Sequence, residues 1–417
     1  MEKGKTRLRN MLRDFFIASK EEQDGTVKDR ISGLRRYVDK IKPNFVEGGR
    51  FGWLQSTFEA FESFLFVPDT TTKHGCQIRD AVDLKRTMIT VVITLMPALL
   101  FGIWNVGHQH FLASAETVSF WQTIGFGLAK ALPVIVVSYV TGLAIEFVFA
   151  QIRHHQVNEG FLVTGMLIPM VLPPDVPLWM VAAATAFAVV IGKEAFGGTG
   201  MNFLNPALTA RAFLFFAYPS VMSGDKVWIA SQPDAFTGAT PLGILANGGT
   251  ELPSAWTMFW GGIPGCMGET SKIAILLGAM LLLLTGIASW RIILSVIIGG
   301  GLMGLGFNLL STLNSQLSTY FQLPFYYHYL MGGFMFGAVF MATDPVTAAQ
   351  TNIGKWIYGF LIGAFAVLLR VVNPAYPEGM MLSILLMNCF APLIDHCVIA
   401  HNIRKRQKRA LAKTKAL

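Results

Sequence analysis

Apolar residues are gathered into ten segments between residues 87 and 399. The segments are 87–104, 124–150, 160–172, 179–192, 205–218, 273–289, 291–310, 328–342, 356–372 and 380–399. A helix needs about 20 predominantly apolar residues to cross a bilayer, so the longer segments predict membrane-spanning helices. The pattern therefore predicts an all-α polytopic membrane protein with about ten transmembrane helices.

Several of these segments are shorter than a straight span, and glycine or proline interrupts them. The clearest cases are 160–172 before Pro173-Pro174, 205–218 after Asn205-Pro206, and the glycine-rich 328–342 before Asp344-Pro345. Such spans are typical of broken helices around a site at mid-membrane depth. Short or tilted helices would give the same pattern, so both interpretations stay open.

Two short motifs recur in the two halves of the chain. Glu159–Thr164 is similar to Glu378–Ser383, and Asn205-Pro206-Ala207 is similar to Asn373-Pro374-Ala375. With five spans in each half, the second half would be inverted relative to the first, as in many transporters. We expect two inverted five-helix repeats, although echoes this short also arise by chance.

Basic residues predict the orientation of the spans. Lysine and arginine are concentrated at the two ends of the chain, including a run from Arg404 to Lys415, and cytoplasmic segments carry such an excess. Both termini are therefore expected in the cytoplasm. Ten spans then alternate consistently, with Arg153, Lys193, Arg291 and Lys355 in inner connections. The long loop 219–272, with only two lysines, is expected on the outer face.

This pattern divides the chain into three parts. Residues 1–86 form a polar cytoplasmic extension, 87–399 the ten-helix transmembrane domain, and 400–417 a basic cytoplasmic tail. In the extension, apolar side chains recur at one helical face. They are Leu54, Phe58, Phe61 and Leu65. This spacing predicts an amphipathic helix over 51–66 that lies on the membrane or on a partner subunit.

Composition supports the membrane assignment and excludes several classes of function. The 417 residues are 53% hydrophobic and only 14% charged, whereas soluble domains carry about 25% charged residues. The net charge of +8 comes from the chain ends and does not indicate nucleic-acid binding. The first apolar run begins near Thr87, too late for a cleavable signal peptide.

The four cysteines and the other chemically active side chains form no recognised site. Cys76, Cys266, Cys389 and Cys397 make no CxxC pair, so no haem, zinc or iron–sulfur spacing is present. We expect each of them to be a small buried apolar residue. No Ser-His-Asp pattern and no metal-ligand cluster stand out.

Three acidic residues lie in or near apolar spans. They are Glu146, Asp344 and Asp395. A charge within lipid costs at least about 2.5 kcal/mol, so it usually faces a cavity, a partner or an ion path. Asp344 could instead cap a helix at a break, and Asp395 could be an interface residue. Glu146, within an apolar run, is the hardest to explain structurally.

A glycine-rich loop enters a helix at residues 197–208. Its backbone N–H groups could hold a ligand, and Asn202 and Asn205 offer both donors and acceptors. The loop lacks the Gly-Lys-Ser/Thr ending of a P-loop, and no strand precedes it as a Rossmann fingerprint requires. A simple turn remains the alternative.

The outer loop 219–272 contains the stretch Asp234-Ala-Phe-Thr-Gly-Ala-Thr240. Gly238 permits positive φ, and Pro241 ends the segment, so the residues alone predict a turn. Loops this long in compact proteins are usually functional. A threonine hydroxyl can accept a phosphoester, but composition does not show that one does.

The stretch resembles the flavinylation signal D-x-x-(S/T)-G-A-T, which Asp234, Thr237, Gly238, Ala239 and Thr240 match without departure. Longer stretches resemble the same proteins over nearly the whole chain. Among them are 83–86, 157–161, 196–208, 211–219, 287–291, 341–346 and 370–381. The sequence is thus identified as a member of the NqrB/RnfD family, closer to the B subunits of Na⁺-translocating NADH:quinone oxidoreductases.

The resemblance implies a membrane flavoprotein subunit of a redox-driven Na⁺ pump. It implies covalent FMN, attached through its phosphate to Thr240 by a flavin transferase, and non-covalent riboflavin near Asn202 and Asn205. The flavins would carry the electrons, so no side chain is catalytic. The expected location is the bacterial inner membrane, with Thr240 in the periplasm and five partner subunits in a six-subunit complex.

The resemblance also implies quinone and ion sites. Ubiquinone would bind near Gly142, Glu146 and Glu59, and Na⁺ would pass near Glu146, Asp344 and Asp395. One alternative is an RnfD-type subunit of a ferredoxin:NAD⁺ oxidoreductase, which generally lacks a long N-terminal extension. Another is a solute channel or transporter without redox chemistry, which would carry no covalent flavin.

Overall fold

The computed structural model describes most of the chain from residue 84 onward and a few positions before it. The described residues are 38, 40–45, 52, 55, 58, 62, 84–153, 159–224, 227–231, 238–313, 319–373 and 378–415. The chain forms two compact units, residues 1–84 with 143–159 and residues 85–142 with 160–417. The described residues contain helices, turns and bends, and no strand.

From residue 84 onward, the described residues form fifteen α-helices. They are α1 (Leu84–Ala113), α2 (Phe120–Arg153), α3 (Phe161–Val171), α4 (Leu178–Val190), α5 (Pro206–Ala217), α6 (Pro219–Met222), α7 (Pro241–Ala246), α8 (Ala255–Trp260), α9 (Lys272–Thr285), α10 (Trp290–Leu313), α11 (Thr319–Gln322), α12 (Tyr327–Leu330), α13 (Phe334–Phe336), α14 (Asn352–Val372) and α15 (Met380–Lys415). Short 3₁₀ turns cover Lys42–Asn44 and Glu194–Phe196.

Six of the described helices are long and apolar enough to cross a membrane. They are α1, α2, α4 with its 3₁₀ extension to Phe196, α10, α14 and the first 32 residues of α15. Three further apolar helices, α3, α5 and α9, have 11, 12 and 14 residues. The prediction of a helical polytopic membrane protein is therefore confirmed, whereas ten crossings and an inverted repeat stay predictions.

The short apolar segments end where their prolines and glycines predict. Helix α3 stops because Leu172 is extended (ψ 153°) before Pro173-Pro174. The segment 328–342 is broken into α12, α13 and a π-helical turn, Gly337–Met341. Gly160 and Gly379, which occupy matching positions in the two related motifs, each directly precede a helix.

Helices α10 and α14 pack through glycine. A Cβ at Gly299 would collide with the carbonyl oxygen of Phe360, and a Cβ at Gly363 would collide with that of Val296. The two backbones approach this closely because neither position carries a side chain, a common solution for helices in membranes. Helix α14 thereby holds Arg370, at its last turn, in a fully buried position.

Several bonds hold the described part of the loop 219–272 against the helices. His110 Nδ1 lies 2.8 Å from the carbonyl oxygen of Ala230. Asp175 accepts a hydrogen bond from the backbone N–H of Ser231 and pairs with Lys130, whose Nζ is 2.7 Å away. The segment 232–237 lies outside the described residues. The residue before it, Ser231, is therefore hydrogen-bonded to the loop before α4, and the residue after it, Gly238, is buried.

Two expectations about the remaining parts need comment. The predicted amphipathic helix 51–66 lies largely outside the described residues. In its unit, Lys42 pairs with Glu62 at 2.9 Å and Phe45 stacks on Phe58. The expectation of buried cysteines holds for Cys266 but is wrong for Cys389 and Cys397, which are exposed. Both lie on the exposed face of the apolar helix α15. The sequence did not show which face of this helix would be buried.

Candidate functional site

Thr240 stands at the N-terminus of α7. It is the N-cap residue, and its Oγ1 accepts a hydrogen bond from the backbone N–H of Gly243 at 3.1 Å. Pro241 follows at the first helical position, where its fixed φ suits a helix start. Ala239 and Thr240 are half-buried and Gly238 is buried. Asp234 and Thr237, the other matched motif residues, lie outside the described residues.

A cavity of about 190 Å³ opens beside Thr240. Its wall includes two aromatic side chains, Phe215 and Trp228, and three charged ones, Arg211, Glu269 and Glu378. These residues come from α5, from the loop before α7, from the connection between α8 and α9, and from the turn before α15. The predicted attachment threonine therefore lies at the edge of a cavity with aromatic and charged walls.

The carboxylates of this cavity differ in their partners. Arg211 forms an ion pair with Glu378. Glu269 is 7% exposed; its Oε1 accepts a hydrogen bond from the backbone N–H of Cys266 at 3.1 Å, and its Oε2 is buried without a hydrogen-bond partner. A Cβ at Gly333 would lie 3.2 Å from Glu269 Oε2 and 3.7 Å from Glu378 Oε1, so the two carboxylates converge there.

Glu269 titrates near neutral pH. Burial, which disfavours the charged form, raises the pKa of its carboxyl to about 7. The negative charge of Glu378 raises it further, whereas Arg211, Lys272 and the hydrogen bond from Cys266 lower it. The carboxyl is therefore more easily protonated than that of an ordinary glutamate.

Two further cations are buried behind this wall. Lys272 donates from Nζ to the backbone oxygens of Glu269 and Thr270, at 2.6 and 3.4 Å. Arg370 donates to the backbone oxygens of His328 and Met331, at 2.7 and 3.2 Å. Both side chains are at most 1% exposed. The three cations and two carboxylates leave one net positive charge when all five side chains are ionised.

A second cavity, of about 110 Å³, brings together three residues that the sequence singled out. Asn202, Asn205 and Asp344 all line it, together with Lys193. Asn205 also caps α5, because its Oδ1 accepts from the backbone N–H groups of Ala207 and Leu208 at 3.0 and 3.3 Å. The glycine-rich loop thus both starts a helix and forms one wall of a cavity.

Asp344 and Asp395 both bind backbone groups. Asp344 accepts from the backbone N–H of Val346 at 3.1 Å and from Thr347 Oγ1 at 2.9 Å. Asp395, on α15, accepts from the N–H groups of Gln350 and Thr351 at 2.6 and 2.9 Å and from Thr351 Oγ1 at 2.6 Å. Asp395 therefore fixes the two residues just before α14, including its N-cap Thr351, and lines neither of the two cavities.

The residues expected around a quinone are only partly described. Glu146, in the C-terminal part of α2, is 4% exposed, and it belongs to a different compact unit from Asp344 and Asp395. Gly142 leaves room for the ring of Phe161, which a Cβ would hit. Glu59 lies outside the described residues. A quinone site at these residues therefore stays a prediction.

Sequence reasoning missed Glu269 and Lys272 as members of the charge cluster. Arg211 and Arg370 stood out only as parts of longer resembling stretches, and Glu378 also as the first residue of an internal motif. A local signal existed, since Glu269 and Lys272 are three residues apart at the start of an apolar helix. In the sequence these two residues look like the polar end of a loop. They were missed because nothing in the sequence shows that this end is buried.

Comparisons with known proteins place the chain among membrane redox subunits. The description of the family whose profile matches residues 71–404 is "NQR2, RnfD, RnfE family". A relative from Ectopseudomonas mendocina is 49% identical over 90% of this chain and 99% of its own. One from Chromohalobacter salexigens is 46% identical over 91% and 97%, and one from Azotobacter vinelandii 47% identical over 90% and 99%. All three are named as the B subunit of a Na(+)-translocating NADH-quinone reductase.

Proposed function

The chain belongs to the NQR2, RnfD, RnfE family, and on that premise we propose that it is the flavin-carrying B subunit of a Na⁺-translocating NADH:quinone oxidoreductase. The relatives that bear this name match it over nearly their whole length. Its helices are those of a multi-pass membrane protein. The names of these relatives, and not the helices, speak against a solute channel without redox chemistry.

The observation that carries the proposal is the position of Thr240 beside a charged cavity. A phosphodiester on its Oγ1 is anionic, and Arg211 in the cavity wall is a cation of complementary charge. Phe215 and Trp228 provide apolar surface for a planar ring system. The residues present therefore fit an FMN group that is held through its phosphate.

FMN would supply the electron transfer, while the protein sets its position and potential. The chain's own residues would do three things. Thr240 would anchor the phosphate, the N-terminus of α7 would orient that anchor, and the buried side chains behind it would exclude water from the cavity. The hydrogen bond from Gly243 to Thr240 Oγ1 can persist after esterification, because an ester oxygen keeps a lone pair.

The second cavity is our candidate for riboflavin. Asn202 donates from Nδ2 to the backbone oxygen of Leu204 at 3.1 Å, and Asn205 caps α5 through Oδ1. The opposite ends of the two amides, the Asn202 oxygen and the Asn205 nitrogen, are the groups that a flavin could use. Asp344 and Lys193 would flank that ligand.

The remaining parts of the proposal follow from the family. The subunit would work in the bacterial inner membrane with five others, with Thr240 on the periplasmic side and both termini in the cytoplasm. Gly142, Glu146 and Glu59 are the candidates for the quinone site, and Glu146, Asp344 and Asp395 for the ion path. A flavin transferase would attach the FMN.

The attachment is tested with three variants of the complex, co-expressed with the transferase. Thr240→Ala should abolish UV fluorescence of the denatured subunit on a gel and the FMN mass on its peptide. Thr240→Ser keeps a hydroxyl and should retain both. Thr250→Ala, an exposed threonine in the same loop, is the control and should change neither. Fluorescence that persists in Thr240→Ala would refute the anchor.

An RnfD-type subunit is separated from this proposal by activity. The purified complex should oxidise NADH with quinone as acceptor and take up ²²Na⁺ into proteoliposomes when a protonophore is present. Strict dependence on ferredoxin, without direct reduction of quinone by NADH, would favour the RnfD-type interpretation instead.

A further inference from the structure

The charged residues behind Thr240 form one buried cluster. Arg211, Glu269, Lys272, Arg370 and Glu378 come from four separate parts of the chain, and Arg211, Lys272 and Arg370 are at most 7% exposed. Moving a charge out of water costs several kcal/mol unless other groups compensate for it. We therefore expect this cluster to have a function, and the adjacent cavity is where its charges can act on a ligand.

The geometry connects the cluster to the cavity. Arg211, Glu269 and Glu378 lie in the cavity wall that also contains Thr240. Glu269 Oε2 is buried and has no hydrogen-bond partner, so its charge is offset by few local bonds. Lys272 and Arg370 stand behind the wall and donate to backbone oxygens. Charges at such a site act on anything in the cavity through a medium less polar than water.

The charges of the cluster act in opposite directions on a group in the cavity. The wall itself holds one cation, Arg211, and two carboxylates, Glu269 and Glu378, while Lys272 and Arg370 lie behind it. When all five side chains are ionised, their charges sum to plus one. Cations stabilise a group that becomes more negative on reduction and carboxylates destabilise it, so the potential of such a group depends on the balance between them.

We propose that this cluster sets the reduction potential of a flavin carried by Thr240, with Arg211 favouring the reduced, more negative form and Glu269 and Glu378 opposing it. The inference rests on the proposed function, since it requires a flavin at Thr240. The electron comes from the redox partners of the complex and returns to them, and no bond to the cluster forms or breaks. The five side chains are positioning residues that act through their charge.

The test is a redox titration of the purified complex at one fixed pH for all variants. The signal of the flavin is assigned by its loss in Thr240→Ala. Glu269→Gln and Glu378→Gln each remove a negative charge and should raise the equilibrium constant for reduction by about tenfold, or about 59 mV for one electron. Arg211→Gln removes a positive charge and should lower the potential by a similar amount.

Two controls separate charge from structural damage. The double variant Arg211→Gln/Glu378→Gln removes an ion pair without changing the net charge, so its potential should return close to the wild-type value. Glu251→Gln makes the same charge change at an exposed position of the same loop and should leave the potential unchanged. A merely structural role would make the double variant the worst of the set.

Every outcome decides between the alternatives. If the reduction potential of the anchored flavin is unchanged in both Glu269→Gln and Glu378→Gln, the inference is wrong. It is also wrong if the potential shifts in the same direction in Arg211→Gln and Glu269→Gln. If one single variant fails to assemble, the other carboxylate variant and the double variant give the same comparison. Covalent flavin that persists in Thr240→Ala instead refutes the anchor, which is a separate observation.

Discussion

Replacing Gly363 by alanine should destabilise the contact between α10 and α14. The added Cβ would collide with the carbonyl oxygen of Val296 and would lie 2.7 Å from the backbone nitrogen of Gly300. Both atoms belong to the backbone of a helix, so no change of rotamer relieves the collision. The two helices must separate, at a cost of about 1–3 kcal/mol for overpacking.

A matched control isolates this cost. Gly306, also on α10, has no atom within 4 Å of an added Cβ. Both substitutions gain up to about 1 kcal/mol of helix propensity, so the difference between the two variants reports the overpacking alone. We expect Gly363→Ala to be less stable than Gly306→Ala by about 1–3 kcal/mol.

The assay is thermal denaturation of the purified complex in detergent, followed by size-exclusion chromatography of the flavin-labelled subunit. Gly306→Ala should melt at or slightly above the wild-type temperature, and Gly363→Ala clearly below it. Equal melting temperatures for the two variants would show that α10 and α14 do not pack as closely as described. The same result would weaken the account of how α14 places Arg370.

Two further predictions concern the candidate sites. Because burial raises the pKa of Glu269 to about 7, infrared spectroscopy of the complex should show a protonated carboxyl band below about pH 7 that disappears above it. The band should be absent in Glu269→Gln. A band that this substitution does not affect would contradict the assignment. Asn205→Ala removes the cap of α5 and should cost about 0.5–2 kcal/mol of stability and lower the riboflavin content measured by chromatography. Asn402→Ala, at an exposed position of α15, should do neither.

The class of the protein was readable from local sequence. Each apolar segment coincides with one helix or a broken series of helices, because helix formation and transfer into lipid depend mainly on the residues of the segment itself. The breaks were also predictable, since proline and glycine act on the backbone beside them. Asn205-Pro206 starts α5, and Pro173-Pro174 ends the segment of α3.

The candidate sites were predictable only where one segment carries the signal. Thr240 was found through its seven-residue motif. Asn202 and Asn205 were assigned to a flavin and Asp344 to an ion path, and the structure places all three around one cavity. Asp395 was proposed for the ion path, with a structural role at the membrane interface as the alternative. It makes three hydrogen bonds to the two residues just before α14, and no single segment of the sequence shows those bonds.

The sequence by itself determined that the chain is a helical membrane protein, where its helices break, and which threonine is the candidate anchor. Only the tertiary structure decided that Arg211, Glu269, Arg370 and Glu378 meet behind that threonine, although more than 160 residues separate Arg211 from Glu378. Hydropathy and backbone preference are local properties and are visible in a linear chain. The energy of a buried charge depends on which distant groups surround it, and the fold alone supplies those neighbours.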